Sequence, residues 1–218
     1  MIEAVVFDLD GVLIDSEPVW EQVRRAYVAE HGGRWPSDAQ DRLMGMSTPE
    51  WARYLSEEAG VGRQPAEVAT AVVNRMAHRY AQDLPLIPGA LEALARLGDR
   101  WPLGLASSSP RSLIDSVLTA AGLTHRFAVT VSTEEVPRGK PAPDVYLAAV
   151  RGLGLSPEHC VGVEDSTNGL LAAAAAGLAV VALPRPDYRP SAQALSLARI
   201  VAADLNELTP SAIEGLDP

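Results

Sequence analysis

The chain is predicted to be α/β, a doubly wound parallel sheet interrupted near its start by an all-helical insertion. Three features of its 218 residues predict this. From Pro88 onward, helical stretches alternate with short continuous apolar runs, the pattern of parallel strands covered on both faces. Residues 17 to about 83 hold no convincing strand, so they form an insertion after the first one. Each polar or charged cluster of the second half follows an apolar run, which collects those clusters at the carboxyl edge of the sheet, where such folds bind ligands.

Val5, Val6 and Phe7 open the chain as a buried strand, β-branched and aromatic with no helical period. Asp8 and Asp10 follow, before Gly11, and alternation along a strand puts both carboxylates on one side. Two acids there suit a divalent cation, a nucleophile with its proton-transfer partner, or both. A pair of solvated turn residues is the plainer alternative. In the insertion, Glu17 to His31 is helical, with Val19, Trp20, Val23, Ala26 and Tyr27 on one face and Gly32-Gly33 as a stop. Ser47-Thr48-Pro49-Glu50 starts a second helix running to about Ala59: a capping hydroxyl, an early proline, and Glu three residues on. Pro65 to Gln82 is a third, with Val68, Val72, Met76 and Tyr80 at helical spacing.

Beyond Pro88, Gly89 to Leu97 reads as a helix, Leu103 to Ala106 as a strand ending at Ser107, and a helix starts at Pro110. Phe127 to Val131 is the next strand, Pro143 to Val150 a helix, and Cys160 to Val163 a strand. Ser166 to Ala176 is a helix stopped by Gly177, and Leu178 to Leu183 the last strand. The expected division is a core of residues 1–15 and 86–218 with a helical domain of residues 16–85 inserted.

Composition excludes several functions. With 47% hydrophobic and 21% charged residues the chain has an ordinary globular balance. A net charge of -10, from 18 Lys plus Arg against 28 Asp plus Glu, repels nucleic acid and anionic membrane. No apolar run approaches the length of a bilayer span, and Glu3 and Asp8 stand where a signal peptide would be basic. A cytoplasmic chain is expected, with no membrane and no nucleic-acid partner. The lone Cys160 fits a reducing compartment and reads as a small buried hydrophobe. His31, His78, His125 and His159 show no metal spacing. Nothing in the sequence sets an oligomeric state, and a monomer is the default expectation.

The strand ends carry Asp8 and Asp10, then Ser107-Ser108-Ser109, then Gly139-Lys140-Pro141, then Glu164-Asp165-Ser166. Phosphoryl chemistry gives each a task. Carboxylates suit Mg²⁺, Lys140 neutralises phosphate as a point charge, and Ser107 with nearby amides at the helix opening at Pro110 can bond phosphate oxygens.

On these four motifs the chain resembles haloacid dehalogenase superfamily phosphohydrolases, in the branch with a helical cap after the first strand. The resemblance covers essentially the whole chain and implies a Rossmann-like core. It implies Asp8 as nucleophile, forming an aspartyl-phosphate, and Asp10 as the acid and then base for the leaving oxygen and the attacking water. It further implies Ser107 and Lys140 as phosphoryl clamps, with Ser108 beside them as a substrate contact. Mg²⁺ would be held by Asp8, the Asp10 main-chain carbonyl and Asp165, with Glu164 ligating directly or through water. Asp10 favours phosphate esters, because family members that break carbon–halogen bonds lack this second aspartate.

Asp15-Ser16-Glu17-Pro18 and Lys140-Pro141-Ala142-Pro143-Asp144 resemble sugar-phosphate phosphatases and the related β-phosphoglucomutases. The mutase pattern has a cap histidine near Trp20 and an arginine at Thr48; both are absent here, which favours a phosphatase of small sugar or polyol phosphates. A hexose-phosphate mutase, or a non-catalytic module binding a phosphorylated ligand, are the alternatives. Glu17, Trp20 and the Gly45–Thr48 turn, with Ser47 and Thr48, are the expected specificity contacts, although Trp20 at helical spacing is also what a core aromatic looks like. Arg75, Arg79 and Arg138 read chiefly as solvated charges.

Overall fold

The computed structural model describes residues 1–43 and 46–216, with Asp41 described by its backbone only. Six parallel strands form one sheet: β1 (Ala4–Phe7), β2 (Leu103–Ser107), β3 (Val129–Ser132), β4 (Cys160–Glu164), β5 (Ala179–Ala182) and β6 (Ile200–Val201). Their spatial order is β3-β2-β1-β4-β5-β6, so the chain winds outward from β1 in both directions. Side-chain alternation splits β1 between two cores. Val5 and Phe7 join Leu103, Leu105, Val161 and Val163 under the helices α5 (Ala90–Gly98), α6 (Arg111–Ala120) and α10 (Pro210–Glu214). Ala4 and Val6 pack on the other face against α7 (Asp144–Leu153), α8 (Thr167–Ala175) and α9 (Ala192–Leu195). All four β1 residues are buried, and a fully buried Val or Phe side chain contributes about 1.5–3 kcal/mol, which anchors the strand whose end must carry two acids.

The insertion holds α1 (Glu17–Glu30), α2 (Ala39–Leu43), α3 (Thr48–Arg53) and α4 (Pro65–Gln82). The two chain crossings that join it to the sheet are tied together: the Asp15 amide donates to Pro85 O (2.8 Å) and the Ile87 amide to Leu13 O (2.9 Å). Its apolar faces merge with the core on the β1 side, and α4 also lies against α6.

Most expected elements are present, and the departures have local causes. The helix opened by Ser47 changes at Tyr54 into a π-helical turn to Glu58, with the Ala59 amide donating to Tyr54 O (2.9 Å). β3 starts at Val129, two residues later than expected, because Ala128 is still entering the sheet through a bond to Leu103 O (2.8 Å). Among the short elements not anticipated are α2, α9, α10 and β6; none of these is long enough to show a period. No helix among the described residues is long and apolar enough to cross a membrane.

Candidate active site

β1 and β4 are neighbours at the point where the strand order reverses, so their carboxyl ends flank the crevice. Lys140 reaches this point from the loop between β3 and α7, through a cis bond to Pro141. Its buried Nζ donates to Asp8 Oδ1 (2.7 Å), Glu164 Oε1 (2.5 Å) and Ala106 O (3.0 Å), using every ammonium proton. Burial by itself would lower this ammonium, but the Asp8 and Glu164 carboxylates outweigh it and hold it above the usual lysine range. It is charged at any working pH.

Glu164 is fully buried and saturated. Oε1 accepts from Lys140 and from the Tyr146 hydroxyl (2.9 Å); Oε2 accepts from the Asp165 amide (3.1 Å) and from the Ser166 amide (3.3 Å) and hydroxyl (3.1 Å). Space is as tight as bonding. A Cβ on Gly169, in the first turn of α8, would lie 1.8 Å from Glu164 Oε1, and one on Gly11 would lie 1.9 Å from Asp165 Oδ2. Gly11 also sits at φ 81°, where a side chain is strained. Glycine at these two positions leaves room for the two carboxylates.

Asp8, Glu164 and Asp165 each place a carboxylate oxygen within 4.8 Å of the others. Burial, reinforced by Glu164 and Asp10 and opposed by Lys140, pushes the Asp8 carboxyl up to about 8. Burial, then Glu164 and Asp8, pushes Asp165 well above the usual carboxylate range. Four carboxyl groups against one ammonium at this edge would thus leave negative charge uncompensated once all of them ionise. Among the described residues no donor bonds Asp8 Oδ2 or either Asp165 carboxylate oxygen. Hard, unbonded oxygens carrying surplus negative charge fit a divalent cation. Glu164 fits less well as a direct ligand, since both its oxygens are taken.

Asp10 faces away from that cluster toward β2. Its Oδ2 accepts from Ser109 Oγ (2.7 Å) and, more loosely, from Ser107 Oγ (3.3 Å), while buried Oδ1 has no partner among the described residues. Ser107 differs from expectation. It is fully buried, its Oγ also accepts the Ser109 amide (3.0 Å), and it does not line the cavity. Ser108 and Ser109 form the wall instead. At the start of α6 the Arg111 N–H is already taken, donating to Glu134 (2.9 Å). Ser109 was missed by sequence reasoning; three consecutive serines offered no way to choose among them.

The cavity above these groups has a volume of about 490 Å³, within the range of small-ligand sites. Asp8, Asp10, Lys140 and Asp165 form its floor; Glu17, Trp20, Met46, Thr48 and Trp51 line it from the cap. Ser47 is not in the wall: its amide (2.8 Å) and hydroxyl (2.5 Å) both donate to Glu50, capping α3 at an exposed position. Of the turn expected to overhang the site, Gly45 lies outside the described residues. Arg24, not expected from sequence, also lines the cavity. The signal available was its spacing, seven residues after Glu17 and four after Trp20, on the helix face otherwise read as apolar. Arg75 pairs with Glu30 (2.7 Å) and Arg138 with Asp144 (2.9 Å), both away from the cavity.

A switch-point centre of clustered carboxylates and one buried lysine, with a helical insertion lining the cavity above it, places the chain among α/β proteins of Rossmann-like topology. The profile of the family described as haloacid dehalogenase-like hydrolase matches residues 2–177, and the chain belongs to that family. It is 34% identical to hexitol phosphatase B of Escherichia coli over 215 residues, 95% of each chain. It is 33% identical to the phosphorylated carbohydrates phosphatase of Thermotoga maritima over 178 residues, 81% of this chain and 82% of that one. Among solved structures it resembles CbbY from Rhodobacter sphaeroides in complex with phosphate, with a TM-score of 0.88 and 27% identity, covering 98% of this chain and 100% of that one.

Proposed function

We propose that this protein is a Mg²⁺-dependent phosphatase of small sugar or polyol phosphates, with residues 16–85 as its cap domain. The observation that carries the reading is the Lys140 ammonium held between Asp8 and Glu164, with Asp165 beside them and Asp10 on a separate hydroxyl network. Phosphatase and polyol-phosphatase names among similar proteins support it.

In this mechanism one carboxylate oxygen of Asp8 attacks phosphorus in line, forming an aspartyl-phosphate as the alcohol leaves. Asp10, held by Ser109 through Oδ2, gives its proton to the leaving oxygen and then takes one from the water that attacks the intermediate. Lys140 offsets charge on Asp8 and on the transferring phosphoryl oxygens. Glu164 works through Lys140, keeping the ammonium aimed. Asp8, Asp165 and the Asp10 main-chain carbonyl would hold Mg²⁺, and the ion would supply positive charge favouring the ionised Asp8 carboxylate beside the phosphoryl group.

Steady-state phosphate release from a panel of phosphorylated sugars, polyols and glycolate tests the reading. Turnover of at least one sugar or polyol phosphate that needs Mg²⁺ is expected; no release from any of them overturns it. With β-glucose 1-phosphate, free phosphate is the expected product, and accumulation of glucose 6-phosphate instead would make the protein a mutase.

A further inference from the structure

Arg24 is 5% exposed, yet it sits in the cap on the third turn of α1 rather than at the charged edge of the core. Its guanidinium carbon lies 4.4 Å from the Trp20 ring centroid and 5.1 Å from that of Trp51, the two indoles being 5.8 Å apart. Both rings attract the cation and position its fork. Neither accepts its edge hydrogen bonds: among the described residues the guanidinium has no ion pair or hydrogen bond, and its Nε is buried without a partner. A buried charge left in this way is costly, and proteins retain one where something completes it. The residue lines the substrate cavity, so the completing group can come from the substrate.

The neighbours narrow its chemistry. Glu17, on the same face of α1, lines the same wall and among the described residues takes only a bond from Gln40 (2.7 Å), leaving it able to accept more. Its carboxylate is also among the charges that act on Arg24. An anion at this end would meet Glu17 as well as Arg24. A hydroxyl instead donates to Glu17 and accepts from Arg24, and the carbon-bound hydrogens of a polyol chain or sugar ring can rest on the indoles.

We infer that Arg24 is a specificity-determining residue that hydrogen-bonds the distal hydroxyls of the substrate, the end remote from the scissile phosphate, with Glu17 as the complementary acceptor. This selects long uncharged polyol or sugar monophosphates over short ones and over bisphosphates. The inference rests on the phosphatase reading for the identity of the phosphate end, but not for the contact itself.

The test compares sorbitol 6-phosphate, glycerol 3-phosphate and fructose 1,6-bisphosphate on wild type, Arg24→Met and Arg24→Lys. Methionine keeps an unbranched stem against the indoles, and lysine keeps the charge without the planar fork. In Arg24→Met, kcat/KM for sorbitol 6-phosphate is expected to fall roughly 10- to 100-fold, the range for hydrogen bonds from a charged donor, mainly through KM. Glycerol 3-phosphate, too short to reach, should change less than about threefold, and lysine should restore only part of the loss, because the fork is what is read. An equal fall for both monophosphates, no fall, or wild-type preference for the bisphosphate overturns the inference. Calorimetric binding of sorbitol 6-phosphate to metal-loaded protein separates the two ideas. If no substrate is turned over, the phosphatase reading fails, and weakened binding in Arg24→Met still upholds this contact, whereas unchanged binding removes it.

Discussion

The core edge and the cap wall face one another across a single cavity but are finished to different degrees. At the core edge, Glu164 is bonded through both oxygens, Lys140 spends all three donors within the protein, and glycines at 11 and 169 leave no slack. On the cap wall, among the described residues, Arg24 keeps unbonded donors and Glu17 is bonded only by Gln40. A network satisfied before substrate arrives is preorganised for charge developing on a transferring group. A wall with donors left over is completed by the substrate, and so discriminates among substrates. On the proposed reading, chemistry belongs to the core edge and selection to the cap wall.

Changes at the core edge should therefore strike every substrate alike, beginning with the largest effect. Asp8→Asn should cut phosphate release by about 10⁴-fold or more, the scale of a lost nucleophile, with an unchanged circular dichroism spectrum. Residual turnover near wild type would take Asp8 out of the reaction. Chelation should lower activity by at least ~100-fold, as removing a main electrostatic stabiliser does. Mg²⁺ should restore it and Ca²⁺ should not, because Ca²⁺ takes a looser, higher coordination; equal recovery with Ca²⁺ would weaken the assigned geometry. Gly169→Ala forces a methyl onto the Glu164 carboxylate and should destabilise the fold by about 1–3 kcal/mol in denaturant titration. A neutral result would mean the carboxylate has room to move.

Protonation sharpens the contrast further. The Asp8 carboxyl is raised from 3.8 to about 8, so between those values the folded state holds a proton that the unfolded chain has released. Its contribution to stability is present below the lower value and is lost as pH rises through the upper one. In metal-free protein, the Tm of Asp8→Asn should exceed that of wild type at pH 8 by more than at pH 5. Equal differences at both pH values would contradict the electrostatic account. The smallest effect belongs to the cap: Ser47→Ala should cost up to about 1 kcal/mol through a weakened helix start and leave kcat/KM unchanged for all substrates. A substrate-dependent loss would return Ser47 to the binding wall.

Local pattern was enough to find the strands that end at Asp8, Ser107 and Glu164, because continuous apolar runs and glycine stops are written within a few neighbouring residues. It also placed Lys140 and Asp165 at the same sheet edge. α2, α9, α10 and β6 were illegible because two to five residues carry no period. The serine run shows a different limit. Ser107, Ser108 and Ser109 are chemically identical in sequence, and only the turn after β2 buries the first, exposes the second to the cavity and bonds the third to Asp10.

By itself, then, the sequence determined the order of elements, the edge at which the acids gather and the family to which they belong, since alternation and spacing follow from backbone geometry. Tertiary structure decided which oxygens are already bonded and which remain open. It turned Glu164 inward onto Lys140 and Tyr146, gave Ser47 to Glu50, and set Arg24 against two indoles with no hydrogen-bond partner among the described residues. Those outcomes depend on partners distant along the chain, and the balance between burial and bonding that governs each exists only once the chain has packed.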